Sequence, residues 1–210
     1  MIICFDIETS PLPESEIAQF APEFEAPKNY TDPVKIAAAV EAKRKAWLAD
    51  AALDPMTGRV LAIGLMLMPG DIGTIISEPA TEAVMLREFW TAIQIDGLEL
   101  HTLIGFNCNS FDLPFLIKRS WKLGVAVPVG ARRGRYWGDD IIDLRDVWQM
   151  GDRQAAGSLD TIAKHLGVGA KTGSGADFAS LWQTDRPKAE AYLKNDLEIT
   201  AAIARKLGVI

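Results

Sequence analysis

The sequence predicts a mixed α/β domain, a β-sheet flanked by helices. Three observations carry that prediction. The strand-like and helix-like segments run in the order βββαβα and are followed by a helical C-terminal half, the pattern of a mixed sheet with helices packed on it. The composition, 49% apolar and 24% charged over 210 residues, is that of an ordinary globular chain long enough for a substantial core in one domain. The first segment, Met1 to Thr9, is an apolar strand that ends in two carboxylates, Asp6 and Glu8.

Several classes are disfavoured at once. The longest apolar run, Val60 to Met68, is far short of the ~20 residues that span a bilayer, so no membrane partner is expected. No basic region precedes Asp6, so no secretory leader is expected either. Cys4 and Cys108 are too few for a disulfide framework or a cysteine zinc site. Both read as buried, reduced thiols of a cytoplasmic protein. The net charge of −6 argues against bulk affinity for nucleic acid. The charge is uneven, however. Leu113 to Gly138 holds no acidic residue but carries Lys118, Arg119, Lys122, Arg132, Arg133 and Arg135, so this segment is +6 and the remainder is −12. Such a run is either a solvated face or an edge that binds phosphates.

The opening strand has Ile, Cys or Phe at five of its first seven positions, as expected of a strand buried on both faces. Residues two apart in a strand share a face, so Asp6 and Glu8 emerge side by side. Two like charges held together repel, and burial raises the cost. A divalent cation between them is the simplest remedy, and other parts of the chain should then supply further ligands.

A break at Ser10-Pro11-Leu12-Pro13 opens a long inserted segment, about 10–54. Within it a helix is expected from Val34 to about Ala52, with Asp32 as N-cap and Pro33 at the first helical position. Ile36, Val40, Trp47 and Leu48 form its candidate apolar stripe. An insertion of this length is unusual in a compact domain and reads either as peripheral packing or as a lid over the site, with a substrate-facing flap slightly favoured. Asp54 to Gly58 is a turn. Strands follow at Arg59–Met68 and Thr74–Ser77, joined by a turn at 70–73. Thr81 to Ile95 is an amphipathic helix with Val84, Leu86, Phe89, Trp90 and Ile93 at helical spacing. Leu100 to Asn107 is a fourth strand, and a helix runs from Phe111 to near Gly124. Ile141 to Trp148 reads as a short strand or extended edge. Ser158 to Thr161 caps a helix containing Leu166. The glycine-rich stretch Gly167–Gly175 holds Lys171 but lacks the Gly-Lys-Ser/Thr of a phosphate-binding loop. A short helix covers Asp177 to Trp182, and a long one begins after Asp185-Arg186-Pro187 and reaches about Leu207.

Further carboxylates stand at element ends. Asp112 lies where a helix follows the fourth strand. Tyr192 and Asp196, four apart, share one face of the last helix. The cluster Asp139, Asp140 and Asp143 is a weaker candidate. His101 and His165 read as structural.

Phe5-Asp6-Ile7-Glu8-Thr9, the run from Gly105 to Leu116, and Tyr192-Leu193-Lys194-Asn195-Asp196 resemble the three motifs of the DnaQ-like, DEDD superfamily of 3′–5′ exonucleases. The likeness is to the exonuclease domains of family-B DNA polymerases, and it covers essentially the whole chain in order. Tyr192 stands at the position that defines the tyrosine, or DEDDy, branch, and Ala191 stands where the other branch has histidine. Ser110 departs from the polymerase pattern, which has asparagine directly before Phe-Asp; Asn107 and Asn109 are nearby.

The resemblance implies an RNase H-like mixed sheet, three antiparallel strands then parallel strands, in one domain spanning 1–210. It implies two divalent ions, Mg2+ or Mn2+, which hard carboxylate ligands without His or Cys also suit. In two-metal sites such ions lie roughly 3.5–4 Å apart. Asp6 would bridge both ions, Glu8 and Asp196 would complete the site that activates water, and Asp112 would hold the second ion. The Tyr192 hydroxyl would orient the nucleophile. The implied activity is hydrolysis of single-stranded DNA from its 3′ end to nucleoside 5′-monophosphates, alone or as the proofreading partner of a separate DNA polymerase. Thr9, Asn107 and Phe111 are the candidates for holding the terminal nucleotide, with Phe111 also a candidate core residue. Lys118, Arg119, Arg132, Arg133 and Arg135 are the candidates for the phosphate backbone. Two alternatives stand beside this: an exoribonuclease of the same fold, and a nucleic-acid-binding subunit whose catalysis has lapsed.

Overall fold

The computed structural model describes residues 1–95, 99–132, 140–152, 154, 155 and 157–210. In chain order the strands and α-helices are β1 (Ile2–Pro11), α1 (Glu14–Ile17), α2 (Pro33–Asp50), β2 (Gly58–Met68), β3 (Ile72–Ser77), α3 (Glu82–Ile93), β4 (Thr102–Gly105) and α4 (Asp112–Lys122). They continue with β5 (Ile141–Asp143), α5 (Leu144–Gln149), α6 (Leu159–Leu166), α7 (Phe178–Thr184) and α8 (Arg186–Lys206). The chain divides into two compact units, one of Met1–Glu8 with Val60–Ile210 and the other of Thr9–Arg59.

The larger unit is a five-stranded mixed sheet flanked by helices, as the sequence predicts. Its strand order is β3-β2-β1-β4-β5. β2 pairs antiparallel with β3, whereas β1 pairs parallel with β4 and β4 parallel with β5. The register sets Cys4 beside Ile104 and Gly105 beside Asp143.

The alternation of β1 decides which face receives which helices. Ile3, Phe5 and Ile7 point into a core built with Leu86, Phe89 and Trp90 of α3 and Leu113, Phe115 and Leu116 of α4. Cys4, on the opposite face, joins Ile104, Ile162 and Ala163 of α6, and Ile199 and Ile203 of α8. Each fully buried side chain of this size contributes about 1.5–3 kcal/mol. A third cluster packs Phe178 and Trp182 of α7 and Tyr192 and Leu193 of α8 on Leu61 and Ala62 of β2. Gly64 of β2 makes close approach to α8 possible: a Cβ there would lie 2.9 Å from Leu197 Cδ1.

In the smaller unit α2 begins as expected, with the Asp32 carboxylate accepting from the Val34 amide at 2.9 Å and Pro33 in the first turn. Its expected apolar stripe is corrected. No residue of α2 is buried, Ile36 is exposed, and Val40, Trp47 and Leu48 are half-buried. Trp47 packs edge-on against Phe24 with ring centroids 6.0 Å apart.

Three other expectations shift. In α3 the buried set is Met85, Leu86, Phe89, Trp90 and Ile93, so Met85 takes the place given to Val84. β4 is shorter than the expected Leu100–Asn107. The segment 141–148 is a strand only to Asp143 and a helix thereafter, because the Asp143 carboxylate accepts from the Arg145 amide at 2.9 Å and caps the turn.

Candidate metal centre

The face of β1 that carries Cys4 also carries Asp6 and Glu8, so both acids point toward the side occupied by α8. Among the residues that helix buries, Ala189, Tyr192, Leu193, Asp196, Leu197, Thr200, Ile203 and Ala204 form a stripe at three- and four-residue spacing, and Ile199 and Ala201 are buried beside it. Asp196 occupies a stripe position that an apolar residue would otherwise fill, and the packing that seats Leu193 and Leu197 on β2 delivers its carboxylate to β1. Asp6, Glu8 and Asp196 each offer an oxygen within 4.8 Å of the others. Glu8 and Asp196 are 7% and 2% exposed, and Asp6 is half-buried.

Asp112 arrives from the opposite direction. It is the first residue of α4 and 3% exposed, and its Oδ1 accepts from the Ile7 amide at 3.1 Å. That bond pins the start of α4 to β1 between Asp6 and Glu8. Asp112 is not one of the close trio, but its charge acts on Asp6 and Glu8.

The electrostatics are those of an acidic site short of positive charge. Burial, then Asp112, Glu8 and Asp196, push the Asp6 carboxyl well above the usual range. Burial and Asp196 do the same to Glu8. Burial raises Asp112 to about 7, against the opposing pull of its backbone hydrogen bonds. Asp196 is raised by burial and partly restored by Lys171. Perturbed carboxyls gathered in this way mark sites where something cationic is expected. Two buried polar atoms reinforce the point: Asp196 Oδ1 and the Tyr192 hydroxyl have no hydrogen-bond partner among the described residues. The Tyr192 hydroxyl is held protonated by burial and by the neighbouring Asp196 and Glu8 charges. An all-oxygen donor set with unsatisfied lone pairs fits a hard divalent ion.

The expected nucleotide-binding residues fare less uniformly. Thr9 follows Glu8 along β1 and is half-buried. Asn107 adopts a left-handed conformation, with φ of 61°, and its Oδ1 accepts from Arg145 Nη1 at 2.9 Å. Phe111 packs against the core, with its ring centroid 5.6 Å from that of Phe115. Lys118 is exposed. Arg119 is corrected: it is 4% exposed and its guanidinium grips Glu82 at 2.8 Å and 2.7 Å, so it is committed to the fold and cannot track a strand. Arg133 and Arg135, and the side chain of Arg132, lie outside the described residues.

Asp143, among the weaker candidates, is no part of the trio. It is buried, and its two carboxylate oxygens accept from the amides of Asn107, Asn109 and Arg145. It shapes the turn that precedes Asp112. Of the other two, Asp140 is half-buried and Asp139 lies outside the described residues. His165 meets Trp148 edge-on, at 5.6 Å between centroids.

Lys171 is the site residue that the sequence did not reveal. Its Nζ lies 2.5 Å from Asp196 Oδ2 and 5.0 Å from the centre of the Tyr192 ring. The available signal was a lone lysine inside the Gly167–Gly175 run.

DNA polymerase 2 of Aeropyrum pernix is 28% identical over 171 residues, covering 73% of this chain and 21% of that protein. The chain therefore spans about a fifth of that polymerase's length. The structure of the family B DNA polymerase from the hyperthermophilic archaeon Pyrobaculum calidifontis superposes with a TM-score of 0.61 at 19% identity, over 98% of this chain and 24% of that one. That likeness is one of fold. A family described as predicted 3′–5′ exonucleases related to the exonuclease domain of PolB matches residues 57–200, a span that contains Asp112, Tyr192 and Asp196. With the match covering most of the chain, the chain belongs to this family of predicted 3′–5′ exonucleases related to the exonuclease domain of PolB.

Proposed function

We propose that the chain is a divalent-metal-dependent 3′–5′ exonuclease that removes nucleotides from the 3′ end of single-stranded DNA and releases nucleoside 5′-monophosphates. The observation that carries the reading is the convergence of Asp6, Glu8 and Asp196 within 4.8 Å, beside buried oxygens that lack partners. Two divalent ions, Mg2+ or Mn2+, when bound, would supply stabilisation of the attacking and leaving oxygens of a phosphodiester displacement.

The chain's own residues do the rest. Asp6, Glu8 and Asp196 would hold one ion, with Asp6 shared. Asp112, one of whose oxygens is taken by the Ile7 amide, would hold the second. The Tyr192 hydroxyl, buried and kept neutral, orients the attacking water by hydrogen bonding and does not serve as its base. Thr9 and Asn107 stay the candidates for the terminal nucleotide, and Lys118 with Arg132, Arg133 and Arg135 those for the backbone phosphates. We read the chain as one exonuclease domain with the segment 10–54 inserted, cytoplasmic in keeping with two free buried thiols. No helix among the described residues is long and apolar enough to cross a membrane. A separate DNA polymerase is the natural partner of such a domain.

The test is nucleotide release from a single-stranded DNA with Mg2+. Wild type should release mononucleotides, and Asp6→Ala should release none while keeping the circular dichroism of the wild type. Undiminished release by Asp6→Ala overturns the site assignment.

A further inference from the structure

Lys171 sits among acids that the proposed function assigns to metal. Its ammonium lies against Asp196, which is 2% exposed, and is itself 23% exposed. Among the described residues it makes the only ion pair with any of Asp6, Glu8, Asp112 and Asp196. One positive charge cannot neutralise four carboxylates, so the site stays attractive to a divalent ion. It does occupy Asp196 Oδ2, an oxygen of the very residue that such an ion would take.

The backbone beneath Lys171 is fixed. Its own amide donates to Asp160 Oδ1 at 2.9 Å, and the Thr172 amide donates to Asn195 Oδ1 at 3.1 Å. Asp160 belongs to α6 and Asn195 to α8, so two helices hold the loop from either side. The loop then passes close over the site. A Cβ at Gly173 would lie 3.1 Å from the Tyr192 ring, and one at Gly175 would lie 3.8 Å from Glu8 Oε2. The anchored part is the main chain. The four-carbon stem of a lysine remains free to swing its head group toward solvent.

We propose that Lys171 is a resident counter-cation of the acidic site: it partners Asp196 before metal enters, is displaced as metal enters, and so raises the concentration of divalent ion that the site requires. Two physical effects act in the same direction. The ammonium and the ion compete for one carboxylate, and two cations a few ångströms apart repel. Removing the ammonium removes both penalties and leaves the carboxylate repulsion wholly for the metal to relieve. The proposal rests on the metal-dependent reading given above.

The experiment uses the full chain stripped of metal, at mildly alkaline pH, with Mn2+ binding followed by the electron paramagnetic resonance signal of the free ion. Wild type, Lys171→Met and Lys171→Arg are compared. Lys171→Met should bind its first Mn2+ about tenfold more tightly, equivalent to ~1.4 kcal/mol. Lys171→Arg should bind as wild type does, because it restores the charge. A second readout uses wild type alone: acylation of Lys171, mapped by mass spectrometry, should quicken when Mn2+ is added. Equal or weaker binding by Lys171→Met, or unchanged acylation of Lys171 in Mn2+-saturated wild type, overturns the proposal. Failure of wild type itself to bind Mn2+ overturns the metal-dependent reading and this proposal with it.

Discussion

At the scale of single residues, the site is made by placing acids where the fold would otherwise put apolar side chains. Asp196 interrupts the buried stripe of α8, and Asp112 begins α4 with one oxygen already spent on the Ile7 amide. The cost is visible in Asp112, whose carboxyl is raised to about 7 by burial. An unfolded aspartate titrates near ~3.9, so between about pH 4 and about pH 7 the folded chain holds a proton that the unfolded chain has lost. Stability of the metal-free protein therefore has a component that is fully present below that window and is lost as pH rises through it. Urea melts in EDTA should show this loss, and Asp112→Asn should flatten it. An identical pH profile in the variant would contradict the assignment. Tyr192 makes a different prediction. Tyr192→Phe should slow nucleotide release by about 10²-fold through misplacement of water, while Mn2+ affinity stays as in wild type. Release at the wild-type rate would remove the positioning role.

At the scale of elements, what could be read from the sequence followed periodicity and what could not followed long-range partners. The period of two in β1 was enough to put Asp6 and Glu8 on one face, and the four-residue spacing in α8 was enough to put Tyr192 with Asp196. The end of the strand at 141–143 is not legible in the sequence because the helix after it depends on the Asp143 cap. Lys171 is not legible in the sequence because its loop is held by Asp160 and Asn195, 11 and 23 positions from the amides that donate to them. The role of Arg119 is hidden in the sequence because a charge run looks the same solvated or buried, although its phase, three positions after Leu116, sets it on the buried face of α4. Its partner Glu82 also accepts from the Val60 amide at 2.9 Å, so one carboxylate joins α3, α4 and β2. Removing Arg119 strands that carboxylate. Arg119→Ala should cost about 3–5 kcal/mol in chemical denaturation. It should leave the salt dependence of strand binding unchanged, and a flattened salt slope would return Arg119 to the phosphate track.

At the scale of the whole molecule, the sheet order brings β1 to the centre, between β2 and β4, so residues at its end are reached by helices from both faces. A site assembled from β1, α4 and α8 exists only in the folded chain, and an ion that binds there stabilises the fold by mass action. Mn2+ at about 100 times its dissociation constant should raise the melting temperature by about 5–10 °C. Absence of any shift at millimolar metal would count against the centre. The basic segment belongs to the same scale. Neutralising Arg132, Arg133 and Arg135 together should flatten the salt dependence of single-strand binding by about 2 in the log–log slope. An unchanged slope would show that those residues do not meet the backbone.

The central claim is that this acidic centre degrades a strand from its 3′ end. Matched 3′-labelled and 5′-labelled DNA and RNA strands, incubated with Mg2+ or Mn2+, test it most directly. The 3′-labelled DNA should lose its label at once as mononucleotide. The 5′-labelled DNA should shorten through a ladder, and both should stay intact without metal. Immediate release of a 5′ label, cleavage within the strand, or preference for the RNA would contradict the account.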